Sequence, residues 1–198
     1  MLAVVIFVTL PLQIVIVLCI LATSGWPVIY SQKRVGKKGN IFALYKFRTM
    51  IVGAEKMQTK YQAMNEADGP VFKIRDDPRF TPFGKFLSRT GLDELPQLFN
   101  VLKGEMALIG PRPLPVSEAR KLTSWQKARN EILPGIISPW VLDGYHANSF
   151  DTWMRNDTAY SKSKNIASDA IIFIRTIVFL CYLFLREMRE RFSSLKAA

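Results

Sequence analysis

The sequence predicts an α+β protein that is mostly helical, with a small β-hairpin near its start and an apolar helical segment at each end. Three observations support this prediction. The apolar side chains of the 198 residues are concentrated in two runs, at residues 2–22 and 170–185. Short apolar runs separated by glycines lie at residues 28–50, which is typical of a hairpin. Between these segments apolar residues recur at helical spacing, so we expect one domain with its own core.

Residues 2–22 carry no charge and are long enough to cross a bilayer, which takes about 20 residues of helix. Pro11 lies in the middle of this run, where a proline removes a backbone hydrogen bond and bends the helix. The segment is therefore a kinked spanning helix or a re-entrant one, and the sequence leaves both open. A cleaved signal peptide is disfavoured because the run lacks a basic start. We assign residues 1–27 as a membrane anchor.

Positive charge follows both apolar runs, within a formal net charge of +11. The cluster after the first run consists of Lys33, Arg34, Lys37, Lys38, Lys46 and Arg48. By the positive-inside rule, this cluster belongs on the cytoplasmic face. The second run is short for a span and contains Arg175, so residues 170–198 are predicted to form an interfacial amphipathic helix with a basic tail. Such a tail favours anionic membrane lipids.

The central part of the chain, residues 28–169, begins with the hairpin and its basic, glycine-containing loop. An amphipathic helix is predicted over residues 51–68, and Asp68-Gly-Pro70 ends it. A shorter helix is predicted over residues 81–90. It presents Arg89 close to the acidic pair that follows.

The next elements are also predicted to be helical. Apolar residues at 95, 98, 99 and 102 bury one face of a helix that Gly104 ends. A charged helix is predicted over residues 116–133, followed by a loop-rich stretch at 136–148. One further helix face carries Phe150, Trp153, Asp157 and Tyr160.

Cysteine and histidine are scarce, which limits the chemistry available. Cys19 and Cys181 both lie in apolar runs, where a thiol behaves as a small apolar side chain. His146 is the only histidine, so a multi-histidine metal centre is excluded, and we interpret it as a loop residue.

The most informative segment is residues 91–113, which joins the acidic pair Asp93 and Glu94 to a Pro-Arg-Pro turn around Arg112. An ordinary helix start is one interpretation, with Thr90 as the N-cap and the acids in the first turn. Phosphate chemistry is the other, because a carboxylate can act as nucleophile or metal ligand and a guanidinium suits a phosphate oxygen pair. Both can hold at once, since helix N-termini also bind phosphate.

Several motifs, taken in order, resemble the bacterial sugar transferases, which are monotopic polyprenyl-phosphate phosphoglycosyl transferases. The similar residues are Lys46-Phe-Arg-Thr-Met50, Leu92-Asp-Glu-Leu-Pro-Gln-Leu98, Asn100-Val-Leu-Lys-Gly-Glu105, Gly110-Pro-Arg-Pro113, Pro134-Gly-Ile136 and the later series Phe150, Trp153, Arg155, Asp157, Tyr160, Asn165, Ser168 and Asp169. The loop at 136–146 differs most, because Tyr145 stands where the family typically has arginine.

The resemblance implies a ping-pong reaction on the cytoplasmic face of the bacterial inner membrane. Asp93 would attack the β-phosphate of a UDP-sugar and release UMP, and undecaprenyl phosphate would then take the sugar phosphate from the aspartate. Asp93 and Glu94 would be the catalytic residues and would hold Mg²⁺. The substrate-binding residues would be Lys46, Arg48, Arg89, Arg112, Arg155 and Asp157.

Two other functions remain as alternatives. A membrane-surface scaffold with this fold and no catalysis is motivated by the changed 136–146 loop. A membrane-tethered nucleic-acid binder is motivated only by the positive charge, and the sequence has no zinc pairs or ribonucleoprotein motif to support it. We therefore expect no nucleic-acid partner. The sequence identifies neither the sugar nor whether the chain forms a homo-oligomer.

Overall fold

The structure is a computed structural model that describes the backbone of residues 2–139 and 149–196, with side chains over 5–139 and 149–189. Tyr145 and His146, on which two of the sequence interpretations rest, lie outside the described residues. The helices are α1 (Leu2–Ser24), α2 (Pro82–Thr90), α3 (Gln97–Leu102), α4 (Val116–Ala119), α5 (Ser124–Lys127), α6 (Phe150–Ser163) and α7 (Ile166–Lys196). The strands are β1 (Ile29–Val35), β2 (Ile41–Phe47), β3 (Ala107–Ile109) and β4 (Gly135–Ile137).

The prediction of a mixed, mostly helical fold is confirmed, with 58% of the structure helical. The predicted hairpin is also confirmed, because β1 and β2 pair antiparallel from Ile29 opposite Phe47 to Val35 opposite Ile41. This register places Arg34 opposite Phe42, and it determines which side chains of the hairpin share a face. Residues directly opposite share a face, and so do residues two apart on one strand, so Arg34 and Lys46 lie on the same face of the hairpin.

Helix α1 runs without interruption through Pro11. Its inner face buries Ile16 and Ile20 against Phe47 of β2 and Leu87 of α2. Most of its other apolar side chains are exposed, and Val5–Ser24 is long and apolar enough to cross a membrane. The choice between a kinked spanning helix and a re-entrant one stays open.

Helix α7 is longer than the predicted run at 170–185, since it begins at Ile166 and continues to Lys196. The window Ile166–Arg189 meets the same length and composition requirement for crossing a membrane. The helix packs against the end of α2, where Leu180 approaches Gly91. Because α1 also packs on α2, two helices with exposed apolar surfaces lie beside the turn that follows α2. Large exposed apolar surfaces of this kind are typical of membrane or protein contacts.

Two predicted helices are wrong. Residues 51–68 form two short 3₁₀ segments, Ala54–Met57 and Thr59–Met64, in which Ala54 is the one buried residue. A helix without a buried apolar face gains little from packing, so short turns replace it. Residues 116–133 are broken into α4, α5 and a 3₁₀ turn at Ala128–Glu131. The break comes at Thr123, whose backbone N–H donates to Gln126 Oε1 at 2.9 Å in a capping box that starts a new helix.

The parallel pair of β3 and β4 was not predicted from the sequence. Ala107 lies opposite Gly135 and Ile109 opposite Ile137, so each strand is only three residues long. The pair packs near the hairpin, where Met106 joins Phe42 and Leu44 in a buried cluster. Its main effect is to bring residues 110–113 beside residues 134 and 135.

Candidate functional site

The acidic pair lies on a 3₁₀ turn between two helices. Helix α2 ends at Gly91, which has a φ of 73° and so adopts the left-handed conformation that glycine favours. Leu92–Glu94 then form one 3₁₀ turn before α3. The predicted N-cap role of Thr90 is wrong, because its hydroxyl donates to the Phe86 carbonyl within the last turn of α2, at 2.8 Å.

Apolar anchors on either side of the turn fix the position of the carboxylates. Leu92 and Leu95 pack against the cluster formed by α1 and α2. On the far side of α3, the fully buried Asn100 donates to the Ala43 carbonyl at 2.7 Å and accepts from the Tyr45 N–H at 3.2 Å. These contacts hold α3 against β2 beside Lys46. The sequence reasoning gave Asn100 no role beyond its place in the motif.

Lys46 bridges the two acids. Its Nζ lies 3.2 Å from Asp93 Oδ2 and 2.7 Å from Glu94 Oε1. Arg112 adds a second cation, since its Nη1 lies 3.1 Å from the same Glu94 oxygen. The predicted residues Lys46, Asp93, Glu94 and Arg112 are thus brought together, from the hairpin, the 3₁₀ turn and the Pro-Arg-Pro turn.

Burial and charge give the two acids different pKa values. Burial raises the pKa of Asp93, and Glu94 raises it further against the opposing effect of Lys46. Burial acts in the same direction on Glu94, but Lys46 and Arg112 outweigh it and hold the pKa of Glu94 at about 2. Glu94 is therefore a permanent anion, whereas Asp93 is the carboxylate whose charged form is less well stabilised.

Two glycines position the Pro-Arg-Pro turn. A Cβ on Gly135 would lie 2.0 Å from the Gly110 nitrogen, so any side chain there would collide with backbone. The close approach allows the Gly135 N–H to donate to the Pro111 carbonyl at 3.0 Å. Arg34 donates to the Pro113 carbonyl from the other side, also at 3.0 Å. The turn is therefore held at several points along its backbone, which fixes the position of the Arg112 backbone.

A second charged pair supports the same turn. Arg129 and Asp157 are both buried, and Arg129 Nε and Nη2 lie 2.9 and 2.5 Å from Asp157 Oδ2. The same Nη2 donates to the Arg112 carbonyl at 2.5 Å. Asp157 was predicted to bind substrate; its described contacts make it a support for Arg112. Arg129 was not singled out from the sequence, which offers no motif for it.

Three other predicted substrate-binding residues have structural contacts. Arg48 donates to the carbonyls of Ser24, Gly25 and Pro27, so it satisfies the end of α1. Arg89 joins α2 to Asp76 at 2.6 Å and to Glu187 of α7 at 3.4 Å. Arg155 pairs with Asp151 at 2.9 Å on the exposed face of α6. Their roles in substrate binding remain predictions.

The structure also brings Arg34 and Lys73 near the acids, although neither was selected as a site residue. Arg34 belonged only to the general basic cluster in the sequence. Burial, followed by the charges of Arg112 and Lys46, lowers the pKa of Lys73 to about 7. No spacing rule connects Lys73 to residues so distant in the chain, so sequence reasoning had no signal for it.

The carboxylates of Asp93 and Glu94 are the kind of ligand that Mg²⁺ prefers. Among the described residues no group of three or more His, Cys, Asp or Glu side chains gathers, and the candidate ligands are the adjacent carboxylates of Asp93 and Glu94, which Lys46 and Arg112 contact in this structure. Magnesium commonly binds one or two protein carboxylates and completes its octahedron with water and substrate phosphates. A site of this size is therefore suited to magnesium that arrives with a phosphate substrate.

A cationic cradle around the buried Asp93 and the half-buried Glu94, next to apolar helices, defines a phosphate-handling class of site. The chain belongs to the bacterial sugar transferase family, whose model matches residues 1–182. This confirms the resemblance seen in the motifs.

Individual relatives agree with this membership. The chain is 44% identical over 155 residues to the galactosyl transferase CpsE of Streptococcus agalactiae, a match that covers 78% of this chain and 34% of the relative. It is 37% identical over 174 residues to the UDP-N-acetylgalactosamine-undecaprenyl-phosphate N-acetylgalactosaminephosphotransferase of Aeromonas hydrophila, covering 84% and 38%. It is 31% identical over 175 residues to the exopolysaccharide production protein ExoY of Sinorhizobium fredii, covering 86% and 77%. The chain thus spans about a third of the length of the first two relatives.

Proposed function

We propose that the protein transfers a sugar-1-phosphate from a UDP-sugar to undecaprenyl phosphate through a covalent intermediate on Asp93. The observation that carries the proposal is the bridging of Asp93 and Glu94 by Lys46, with Arg112 on the same Glu94 oxygen. A carboxylate can attack a phosphate only where nearby cations offset the repulsion between them. The relative from Aeromonas hydrophila is named for a UDP-sugar donor and an undecaprenyl-phosphate acceptor, which supports this choice of substrates.

In the first half-reaction, an Asp93 oxygen forms a bond to the β-phosphorus of the donor. The bond from that phosphorus to the bridging oxygen breaks, and UMP leaves with the oxygen. The attack requires ionised Asp93, and Lys46 lies close enough to stabilise that form. The backbone of Arg112 lies in a rigid turn, and its forked guanidinium group can bind phosphate oxygens during the transfer.

In the second half-reaction, an oxygen of the acceptor phosphate attacks the same phosphorus. The bond between that phosphorus and Asp93 breaks, so the carboxylate returns and the product is a polyprenyl-diphosphate sugar. Asp93 and Glu94 would hold Mg²⁺, which when bound would offset the negative charge of the phosphates. Helices α1 and α7 would keep the site at the membrane surface, where a lipid acceptor can present its phosphate. We place this surface on the cytoplasmic side of the inner membrane, in accord with the basic cluster after α1.

The test is UMP release by the purified full chain with Mg²⁺, undecaprenyl phosphate and a panel containing UDP-galactose, UDP-glucose and UDP-N-acetylgalactosamine. We expect turnover with at least one donor and, without acceptor, a burst limited to one UMP per enzyme. Asp93→Asn should lower UMP release by about 10³-fold or more, as removal of other catalytic nucleophiles does. The matched control is Asp151→Asn, at an exposed aspartate of α6.

Either of two results would overturn the proposal: no UMP from any donor, or full activity in Asp93→Asn. Binding of a UDP-sugar without turnover would instead favour the scaffold. Release of UMP that depends on acceptor, with no burst in its absence, would retain the reaction and reject the covalent intermediate.

A further inference from the structure

Arg34 lies on the face of the hairpin that carries Lys46 and projects toward the Pro-Arg-Pro turn. It reaches that turn through the hydrogen bond from its Nη1 to the Pro113 carbonyl. An isolated bridge between Arg34 and Pro115 reinforces the same contact through the backbone. Arg34 is therefore fixed in place from both ends, without a carboxylate among these contacts.

The Nε of Arg34 is buried and has no hydrogen-bond partner among the described residues. A buried donor without an acceptor is unfavourable, and this is more so for a charged group. Burial and the nearby Arg112 lower the pKa of Arg34 to about 10 against the opposing effect of Glu118, so the guanidinium is still protonated at neutral pH. The side chain thus retains a charged donor that the contacts within the protein do not satisfy.

Arg34 lines a small cavity together with Lys46, Arg112 and the buried Gln97. The described residues that line it include three cations and no carboxylate. Arg112 is close enough that its charge disfavours the charged form of Arg34. The cavity measures about 10 Å³, close to the space of one water molecule, so it can admit a single oxygen of an anion. That oxygen would reduce the repulsion between the two guanidinium groups and accept their hydrogen bonds.

We propose that Arg34 is a substrate-binding residue that, together with Arg112, binds a phosphate group through an oxygen that enters this cavity. The inference rests on the proposed function for the identity of the substrate. The bound group is a phosphate of the donor diphosphate or the phosphate of the lipid acceptor, which present the same chemistry. In both cases Arg34 donates to phosphate oxygens and takes no part in bond formation.

The first experiment measures binding of inorganic pyrophosphate to the full chain by calorimetry, which requires no turnover. Arg34→Gln removes the positive charge, and Arg34→Lys keeps the charge but lacks the paired donors of the guanidinium group. The matched control is Lys33→Gln, because Lys33 is the exposed neighbour on β1 and points to the opposite face. We expect the Kd to rise about tenfold or more in Arg34→Gln, less in Arg34→Lys, and to stay unchanged in the control.

The second experiment separates the two sources of phosphate. A higher KM for the UDP-sugar in Arg34→Gln, at unchanged KM for undecaprenyl phosphate, would assign the subsite to the donor. The reverse pattern would assign it to the acceptor. Thermal unfolding of each variant is measured alongside, since a purely structural clamp on Pro113 would lower the unfolding temperature and kcat without changing the Kd of the folded protein.

Unchanged pyrophosphate affinity and unchanged KM values in folded Arg34→Gln would overturn the inference while leaving the proposed function intact. If the wild-type chain binds pyrophosphate through Arg34 but releases UMP from no donor, the proposed function fails and the anion subsite stands.

Discussion

Two groups of charged side chains lie side by side in this protein, one fully buried and the other partly buried, and they differ in the ratio of cations to anions. The pair formed by Arg129 and Asp157 has one cation and one anion, and its polar atoms contact each other, the Arg112 carbonyl and Ser138. The group around Asp93 and Glu94 has Lys46 and Arg112 in direct contact. Arg34 and Lys73 lie close enough to this group for the charges of Arg112 and Glu94 to change their pKa values.

This difference in charge distinguishes a pair that supports the structure from a group that can bind a ligand. A balanced pair closed by hydrogen bonds needs no ligand, and removing either partner leaves an isolated charge in the interior. A group with surplus cations is stabilised when an anion binds to it. The balanced pair supports the backbone of Arg112, so it contributes to the site by holding one member of the unbalanced group.

The largest expected effect is on stability, from Asp157→Asn. This change leaves the buried Arg129 without its counter-charge, and breaking a buried pair in this way costs about 3–5 kcal/mol. For a chain of this size, we expect the unfolding temperature to fall by roughly 10 °C. Thermal unfolding of the purified protein measures it.

The same substitution at the buried Asp93 is the matched control. Asp93→Asn should leave the unfolding temperature unchanged or higher, because a raised pKa means that the ionised form of Asp93 is the less stable one in the fold. The double variant Arg129→Met with Asp157→Leu should regain much of the lost stability. Equal destabilisation by Asp93→Asn and Asp157→Asn would remove the distinction between the two groups.

Arg112→Lys tests whether the unbalanced group needs geometry as well as charge. Lysine keeps the positive charge but loses the fork that binds two oxygens, so we expect kcat/KM for UMP release to fall by about 10 to 100-fold with little change in stability. The control is Arg120→Lys at an exposed position. Wild-type kinetics in Arg112→Lys would show that a point charge is sufficient.

The acid pair and the Pro-Arg-Pro turn could be predicted because both lie in short motifs whose residue types have few other uses together. The hairpin that supplies Lys46 was predictable for a similar reason, since alternating apolar residues and glycines specify it locally. The ends of the chain were predictable from composition alone, although α7 is longer than its apolar core indicated.

The rest depends on contacts between distant residues. Arg129 reaches Asp157 across 28 positions, and Arg34 reaches Pro113 across 79. The parallel pair of β3 and β4 depends on Gly110 and Gly135 fitting together, which no local pattern reveals. The substrate-binding roles that the resemblance implies for Arg48 and Arg89 stay predictions, and the contacts that the structure describes for them are with helix ends and neighbouring carboxylates. A charged residue in a sequence indicates neither where its side chain points nor which group it pairs with.

Lys73 predicts a moderate pH dependence of donor binding. Its pKa of about 7 is below the ordinary value of 10.5, because of burial and then Arg112 and Lys46, against the opposing effect of Glu94 and Glu66. The unfolded chain therefore binds more protons between these pH values, so stability should rise with pH across that window. Donor affinity should change in the opposite direction, since protonated Lys73 adds a cation.

The diphosphate of a UDP-sugar does not change its charge near pH 7, so its Kd reports the protein. We expect the Kd to rise by about fivefold between pH 6 and pH 8, which corresponds to a rise of one unit in the pKa of Lys73 on binding. Lys73→Gln should flatten this profile, and Lys56→Gln at an exposed position should not. A flat profile in the wild-type protein would exclude Lys73 from the charge balance of the site.

The smallest expected effect comes from Arg155→Ala, which tests a predicted substrate-binding residue whose described contacts belong to neither group. The Arg155 side chain is 72% exposed, pairs with Asp151 four residues earlier, and lies 5.3 Å from the centre of the Trp125 ring. Exposed pairs of this spacing contribute about 0.3–0.5 kcal/mol and exposed cation–π contacts about 0.5–1 kcal/mol. We therefore expect a loss of stability of about 1 kcal/mol at most and UMP release within about twofold of wild type. A tenfold rise in donor KM would instead place the exposed face of α6 in the substrate path, and the surplus of positive charge would then extend beyond the cavity beside Arg112.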